Sequence, residues 1–204
     1  NPAQSLLLTS ASPFEGKSIT IANLAIVMAQ SGRSVTLIDA DMRRPSLHKI
    51  FQLENHQGLS NALVEGQADL SVYAQEIDLT SYTSLRVNGK AHIPADSYAG
   101  DKSGTLHVVT MGSNPPNPAD LLGSEPMKEI IAQTMKKSEI VLIDTPPIMA
   151  VSDAAVLSRS VEGVLILIDL GHTKSPVIQR ALERLRQINA PIVGSILNHA
   201  SAKN

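Results

Sequence analysis

The sequence contains no cysteine. Disulfides and thiolate metal sites are thereby excluded, and the composition fits a reducing cytosol. Aromatic residues make up 2% of the chain, namely Phe14, Phe51, Tyr73, Tyr82 and Tyr98. So few rings argue against a base-stacking surface. Net charge is low as well. At a formal −2 there is no global basic field to attract nucleic acid. Long apolar runs are missing, and a run such as Gly163 to Ile168 is far too short to span a bilayer. No secretory signal is visible. The initiator methionine is also missing. A chain opening at Asn1 reads as a fragment, so an upstream element, a membrane segment included, would lie outside it. What remains is 204 residues, 43% hydrophobic, which suits one globular domain with a sizeable core.

Short apolar runs alternate with helical patterns. The runs are Ser5–Ser10, Ser34–Asp39, Leu106–Met111, Glu139–Asp144, Gly163–Asp169 and Ile192–Asn198. They are apolar almost throughout, as strands buried on both faces are. Helices are expected over Lys17–Gln30, Pro126–Lys137, Ser152–Ser160 and Lys174–Asn189. The last carries one apolar stripe of Val177, Ile178, Ala181, Leu182, Leu185 and Ile188. This alternation predicts an α/β fold in three layers, a mainly parallel sheet flanked by helices. Ligands of such sheets bind beyond the carboxyl ends of the strands. Residues 71–104 show no sustained period and read as an irregular surface insertion. It is a lid, a partner contact or a loop without function.

The segment Ser5 to Ser18 reads as strand, turn and then Gly16-Lys17-Ser18 opening a helix. That is the layout of a phosphate-binding P-loop, although Ala11 stands where the usual pattern has glycine. The turn Ser12, Pro13, Phe14, Glu15 and Gly16, continuing through Ser18 and Ile19, would present backbone N–H groups and a helix start to phosphates. Lys17 would reach the β/γ-phosphates, and the Ser18 hydroxyl would sit on Mg²⁺.

Two further strand ends are acidic. The second strand finishes Leu37-Ile-Asp-Ala-Asp-Met-Arg-Arg-Pro45. Asp39 and Asp41 are two apart, so in a continuing strand they would point the same way. Carboxylates that close repel unless a cation or a proton transfer uses them. One would hold Mg²⁺ through water while the other accepts a proton from an attacking hydroxyl. The alternative is an ordinary Asp-rich turn. A later strand ends Val141-Leu-Ile-Asp-Thr-Pro-Pro147, a Walker B pattern in which Asp144 would order Mg²⁺ and its waters. Arg43 and Arg44 fit either a solvated helix start or a contact with phosphate or a neighbouring subunit's acidic groups. The histidines, His172 and His199 among them, show no ligand spacing. Glu15 reads as a loop or subunit contact rather than a base.

Taken together, Ser10 to Ser18, Leu37 to Pro45 and Ile143 to Pro147 resemble the bacterial tyrosine kinases of capsule and exopolysaccharide export. Those carry Walker A, Walker A′ and Walker B motifs. The segment Gly112-Ser-Asn-Pro-Pro-Asn-Pro-Ala-Asp-Leu-Leu-Gly-Ser124 is similar to that family's Pro-Pro-Asn-Pro stretch. The final strand Gly194-Ser-Ile-Leu-Asn198 is similar to one whose Asn contacts adenine in related ATPases. The resemblance covers nearly the whole chain and implies a P-loop NTPase fold. It implies ATP or ADP and Mg²⁺ as cofactors. Lys17 and Ser18 would hold phosphates and metal, with Asp41 and Asp144 around Mg²⁺ and Asp39 activating a tyrosine hydroxyl. It further implies a ring-type homo-oligomer and tyrosine-rich tails. A membrane chain-length regulator, fused or separate, would place the domain at the inner face of the cell membrane.

Two departures stand out. No tyrosine-rich tail follows His199, and the helix that precedes the family's first strand is missing, both consistent with a fragment. Tyr73, Tyr82 and Tyr98 read as ordinary loop tyrosines, with a substrate role as the alternative. Competing functions are a regulatory nucleotide-binding module without transfer, a partition or division-site ATPase, and a small-molecule kinase or synthetase. Partition ATPases have Lys at the position of Ser12, which argues against the second. The segments Asp41 to Arg44 and Pro115 to Pro118 argue against the third.

Overall fold

The apolar runs assemble as strands, but Ile192–Asn198 is a sheet edge that alternates half-buried and exposed positions rather than being buried on both faces. In the computed structural model, residues 2–81, 86–87, 90–91 and 104–200 are described. The chain starts with β1 (Ser5–Ser10), α1 (Lys17–Gln30), β2 (Ser34–Asp39), α2 (Leu47–Phe51) and α3 (Leu59–Glu65). Then come β3 (Ala74–Glu76) and a small antiparallel pair, β4 (Arg86–Val87) with β5 (Lys90–Ala91). β6 (Thr105–Val109), α4 (Pro118–Leu122), α5 (Glu125–Lys137) and β7 (Ile140–Asp144) follow. The chain closes with α6 (Asp153–Leu157), β8 (Gly163–Asp169), α7 (Ser175–Gln187) and β9 (Ile192–Asn198).

The main sheet has the order β3-β6-β2-β7-β1-β8-β9. Every neighbouring pair is parallel except β3 with β6. Each face carries its own apolar layer. Leu8, Ile21, Ala25, Leu37 and Leu142 pack under α1 on one side. Leu7, Ile38, Ile130, Ile143, Ala181 and Leu185 pack under α5 and α7 on the other. Burying each leucine or isoleucine here contributes about 1.5–3 kcal/mol. The predicted stripe meets this second layer through Val177, Ala181, Leu182 and Leu185 of α7 and Ile188 just after it.

Short elements were not expected from periodicity. α2, α3, α4 and β3 are each too short to show a repeat. The opening of the 71–104 segment is ordered. Tyr73 and Ile77 are buried, and β3 adds an antiparallel edge strand to β6. Tyr82 and Tyr98 lie outside the described residues. Among the described residues no helix is long and apolar enough to cross a membrane.

The parallel arrangement puts the ends of β1, β2, β7, β8 and β9 along one edge. Ser10, Asp39, Asp144, Asp169 and Asn198 are their last residues. A cleft of about 280 Å³ opens at the opposite end, beside Ser34, Thr36 and His107. It lies away from those acidic strand ends.

Candidate active site

The turn between β1 and α1 is built from unusual backbone conformations. Phe14 (φ 66°) and Gly16 (φ 86°) are both left-handed. Such conformations let successive N–H groups converge on an anion. Gly16 is constrained twice over, because a Cβ there would lie 2.5 Å from Asn198 Nδ2. α1 has no side-chain cap, so its first N–H groups are not used by a capping side chain. Phe14 is 90% exposed, and the Arg44 guanidinium sits 5.4 Å from its ring centroid, a cation–π contact.

Lys17 leaves the turn into a ring of carboxylates. Its Nζ donates to Asp144 Oδ1 at 3.0 Å and lies 4.0 Å from Asp41 Oδ2, with Ser18 Oγ at 3.4 Å. Asp144 is fully buried, and its Oδ2 has no hydrogen-bond partner of good geometry. Burial pushes the Asp144 carboxyl up, against the pull of Lys17 and the neighbouring Ser18 hydroxyl. The loop behind it is laced to β1. Thr145 Oγ1 donates to the Leu8 carbonyl at 2.9 Å, and Thr9 Oγ1 to that of Pro146 at 2.9 Å.

Asp39 and Asp41 do not share one direction. β2 ends at Asp39, so the alternation expected of a continuing strand stops there. Asp39 is fully buried, and its Oδ2 accepts from the N–H groups of Ser46 and Leu47, at 3.1 and 3.0 Å, at the start of α2. Its Oδ1 accepts from the Asp41 N–H at 3.2 Å. Asp41 accepts from the N–H groups of Arg43 and Arg44 through Oδ1, leaving Oδ2 toward Lys17. Both aspartates thus hold the turn, and of the two it is Asp41 that turns an oxygen toward Lys17. Burial first, then the adjacent Asp144 charge, pushes the Asp39 carboxyl up to about 8, against the two N–H groups at α2.

A cleft of about 340 Å³ opens over these groups, lined by Ser12 to Ile19, Asp41, Arg44 and Pro147. Asp39 lies behind its wall. Asn198 packs against the P-loop, where its Nδ2 donates to the Glu15 carbonyl at 2.9 Å. Glu15 is a buried internal contact of the loop. It accepts from the Ser12 N–H at 3.1 Å and from Thr173 Oγ1. Arg43 fits neither expected role. It pairs in bidentate fashion with the buried Asp153 of α6, Nε to Oδ2 at 2.8 Å and Nη2 to Oδ1 at 3.1 Å. The histidines also require a correction. His172 and His199 converge on Asp169, although 27 positions of sequence separate them, because β8 and β9 are adjacent strands.

Comparison with known proteins shows the family and the fold. The ParA family model, described as NUBPL iron-transfer P-loop NTPase, matches residues 4–93. Tyrosine-protein kinase YwqD of Bacillus subtilis is 36% identical over 195 residues, covering 96% of this chain and 72% of YwqD. The chain belongs to the bacterial tyrosine-protein kinase family. Tyrosine-protein kinase etk of Escherichia coli K12 is 35% identical over 193 residues, which span 95% of this chain but 23% of etk. The solved kinase domain of Escherichia coli ETK superposes with a TM-score of 0.78 at 32% identity, covering 99% of this chain and 71% of that one. A cobyrinic acid a,c-diamide synthase from Mycobacterium smegmatis with bound ADP and magnesium shares the fold alone, at TM-score 0.70 and 14% identity. In this tyrosine-kinase domain the three motifs therefore meet at the carboxyl edge of one P-loop NTPase sheet.

Proposed function

We propose that the domain transfers the γ-phosphoryl group of Mg-ATP to tyrosine side chains on the tails of neighbouring copies in a ring-type homo-oligomer. The observation that carries the reading is the buried Lys17–Asp144 pair, with Asp39 beside Asp144 on the next strand. The residues fit a magnesium nucleotide. Asp144 Oδ2 is a buried oxygen without a partner, Asp41 Oδ2 faces the same space, and the Ser18 hydroxyl is adjacent. When bound, the magnesium nucleotide supplies the phosphoryl group and neutralises its charge.

The chain's own residues do the rest. Lys17 brings its charge to the phosphates from its place against Asp144. The left-handed turn and the start of α1 orient them through backbone N–H groups. Asp39 is the proposed acceptor of the tyrosine hydroxyl's proton, a step that requires its carboxyl, raised by burial and by Asp144, to be ionised and the cleft wall in front of it to open. The N–H groups of Asp41, Ser46 and Leu47 fix its orientation. Asn198 braces the loop and is the proposed contact for the adenine.

The setting proposed is capsule or exopolysaccharide synthesis, at the inner face of the cell membrane beside a fused or separate chain-length regulator. A relative as long as etk, of which this chain spans 23%, has room for such a regulator. The test is direct. Purified protein is incubated with Mg-ATP and a synthetic tyrosine-rich peptide, and phosphotyrosine is measured by mass spectrometry. The proposal predicts transfer to the peptide. ATP hydrolysis with no phosphotyrosine would overturn it.

A further inference from the structure

Asp169 is the last residue of β8, and Asn198, the last of β9, is its register partner. The next residue, His199, therefore emerges beside Asp169. It is left-handed at φ 54°, and its Nδ1 lies 2.8 Å from Asp169 Oδ1. On the other side the chain turns just after β8, with the His172 and Thr173 N–H groups donating to the Asp169 carbonyl. That turn sets His172 Nδ1 3.2 Å from the same carboxylate oxygen. The two imidazoles meet edge to face at 5.8 Å.

The three ligand atoms lie within 4.8 Å of one another. Metal–ligand bonds of about 2.0–2.2 Å in a tetrahedral zinc site put neighbouring ligand atoms roughly 3.4 Å apart. Shifts of about an ångström in two surface rings close the difference. The carboxylate is buried and anchored at a strand end, whereas both rings reach solvent. A three-ligand set with an open, wet fourth position is the result. Two imidazole nitrogens with one carboxylate oxygen suit zinc-class transition ions, not magnesium or calcium, which prefer all-oxygen shells.

The cluster is mechanically joined to the nucleotide loop at two points. Thr173, next to His172, donates to the Glu15 carboxylate. Asn198, next to His199, donates to the Glu15 carbonyl at 2.9 Å. Glu15 in turn accepts from the Ser12 N–H. We propose that Asp169, His172 and His199 form a binding site for a divalent transition-metal ion of the zinc class, distinct from the Lys17 cleft, whose occupancy stiffens both struts behind the P-loop and alters nucleotide affinity. Linkage requires the reverse effect of equal size, nucleotide on metal affinity.

The test uses the whole chain, stripped with a chelator and exchanged into chelator-free, nucleotide-free buffer. Titration with Co²⁺ is followed by visible absorption and by calorimetry, then Zn²⁺ is added as competitor. The proposal predicts one Co²⁺ per chain with the intense bands of a tetrahedral ion, displaced by Zn²⁺. His172→Gln and His199→Gln, both at surface rings, should each weaken binding at least tenfold. His56→Gln, remote from the cluster, should leave it unchanged. Absence of a stoichiometric Co²⁺ site, or equal binding by wild type and both cluster variants, would overturn the site. The coupling is read separately from the dissociation constant of fluorescent ADP with and without Zn²⁺. A several-fold change in wild type that vanishes in both cluster variants supports it, and equal constants overturn it. These readouts do not depend on kinase activity.

Discussion

Asp39 and Asp144 are register partners at the ends of adjacent parallel strands, both fully buried, and the Lys17 ammonium bonds to Asp144 alone of the two. Two carboxylates in that position cannot both be ionised cheaply without a cation. Burial pushes both carboxyls up, and Lys17 opposes that rise at Asp144.

A dependence of stability on pH follows. Asp39 in the folded chain is raised to about 8 from an ordinary value of 3.8. Between those values the folded chain holds a proton that the unfolded chain has lost. Stability contributed by this group is thus full below about 4 and falls as pH rises toward 8. Asp39→Asn removes the Asp39 share of the slope, and the raised Asp144 carboxyl keeps a share of the same sign. In nucleotide-free protein with a chelator present, the variant should be more stable than wild type at pH 8 and nearly equal at pH 4. Urea denaturation at the two pH values measures this.

Lys17→Met should abolish nucleotide binding and also destabilise the domain. Breaking a buried pair by removing one partner costs about 3–5 kcal/mol, and protonation of Asp144 offsets part of that. The double variant Lys17→Met with Asp144→Asn should recover stability relative to Lys17→Met alone, without recovering binding. Calorimetry for ligand and urea midpoints for stability separate the two effects.

Gly16→Ala meets two obstacles, a left-handed backbone and the Asn198 amide 2.5 Å from the new Cβ. A cost of about 1–2 kcal/mol and weaker Mg-ADP binding are expected. Adding Asn198→Ala should relieve the steric part of the cost and leave the backbone part. Equal losses in the single and double variants would show that the amide contact is not tight.

Arg43→Ala strands the buried Asp153 carboxylate, and a loss of about 1–2 kcal/mol is expected, moderated because the arginine is partly exposed. Arg43→Lys should not restore it, since a single ammonium cannot supply the forked contact. Thermal denaturation of the three proteins checks the order.

Much of the frame was legible from residue pattern. α1 begins and ends where the Gly-Lys-Ser turn and Ser31-Gly32 place it, and β1, β2, β8 and β9 match their apolar runs end to end. A strand buried on both faces leaves that mark in sequence because most positions are apolar, whereas β9 carries the mark at a sheet edge with Val193 and Leu197 exposed. The Lys17, Asp41 and Asp144 cluster was legible for the same reason, since parallel strands bring their ends to one edge. Other features depend on tertiary contacts. α2 has five residues, and the Asp39 carboxylate binds the N–H groups at its start, so neither a periodic stripe nor its own cap announces it. Arg43 meets Asp153 across 110 positions of sequence. His172 and His199 become neighbours only through the pairing of β8 with β9.

The central claim is that Asp39 serves the chemical step while Lys17 and the P-loop serve binding. The deciding measurement compares wild type with Asp39→Asn for two quantities, the dissociation constant for Mg-ADP and the rate of phosphotyrosine formation on a tyrosine-rich peptide. The account predicts a nearly unchanged constant and a rate lower by about 10²–10⁴-fold, the range for losing a positioned base. A variant that binds Mg-ADP normally and phosphorylates the peptide at the wild-type rate would contradict it.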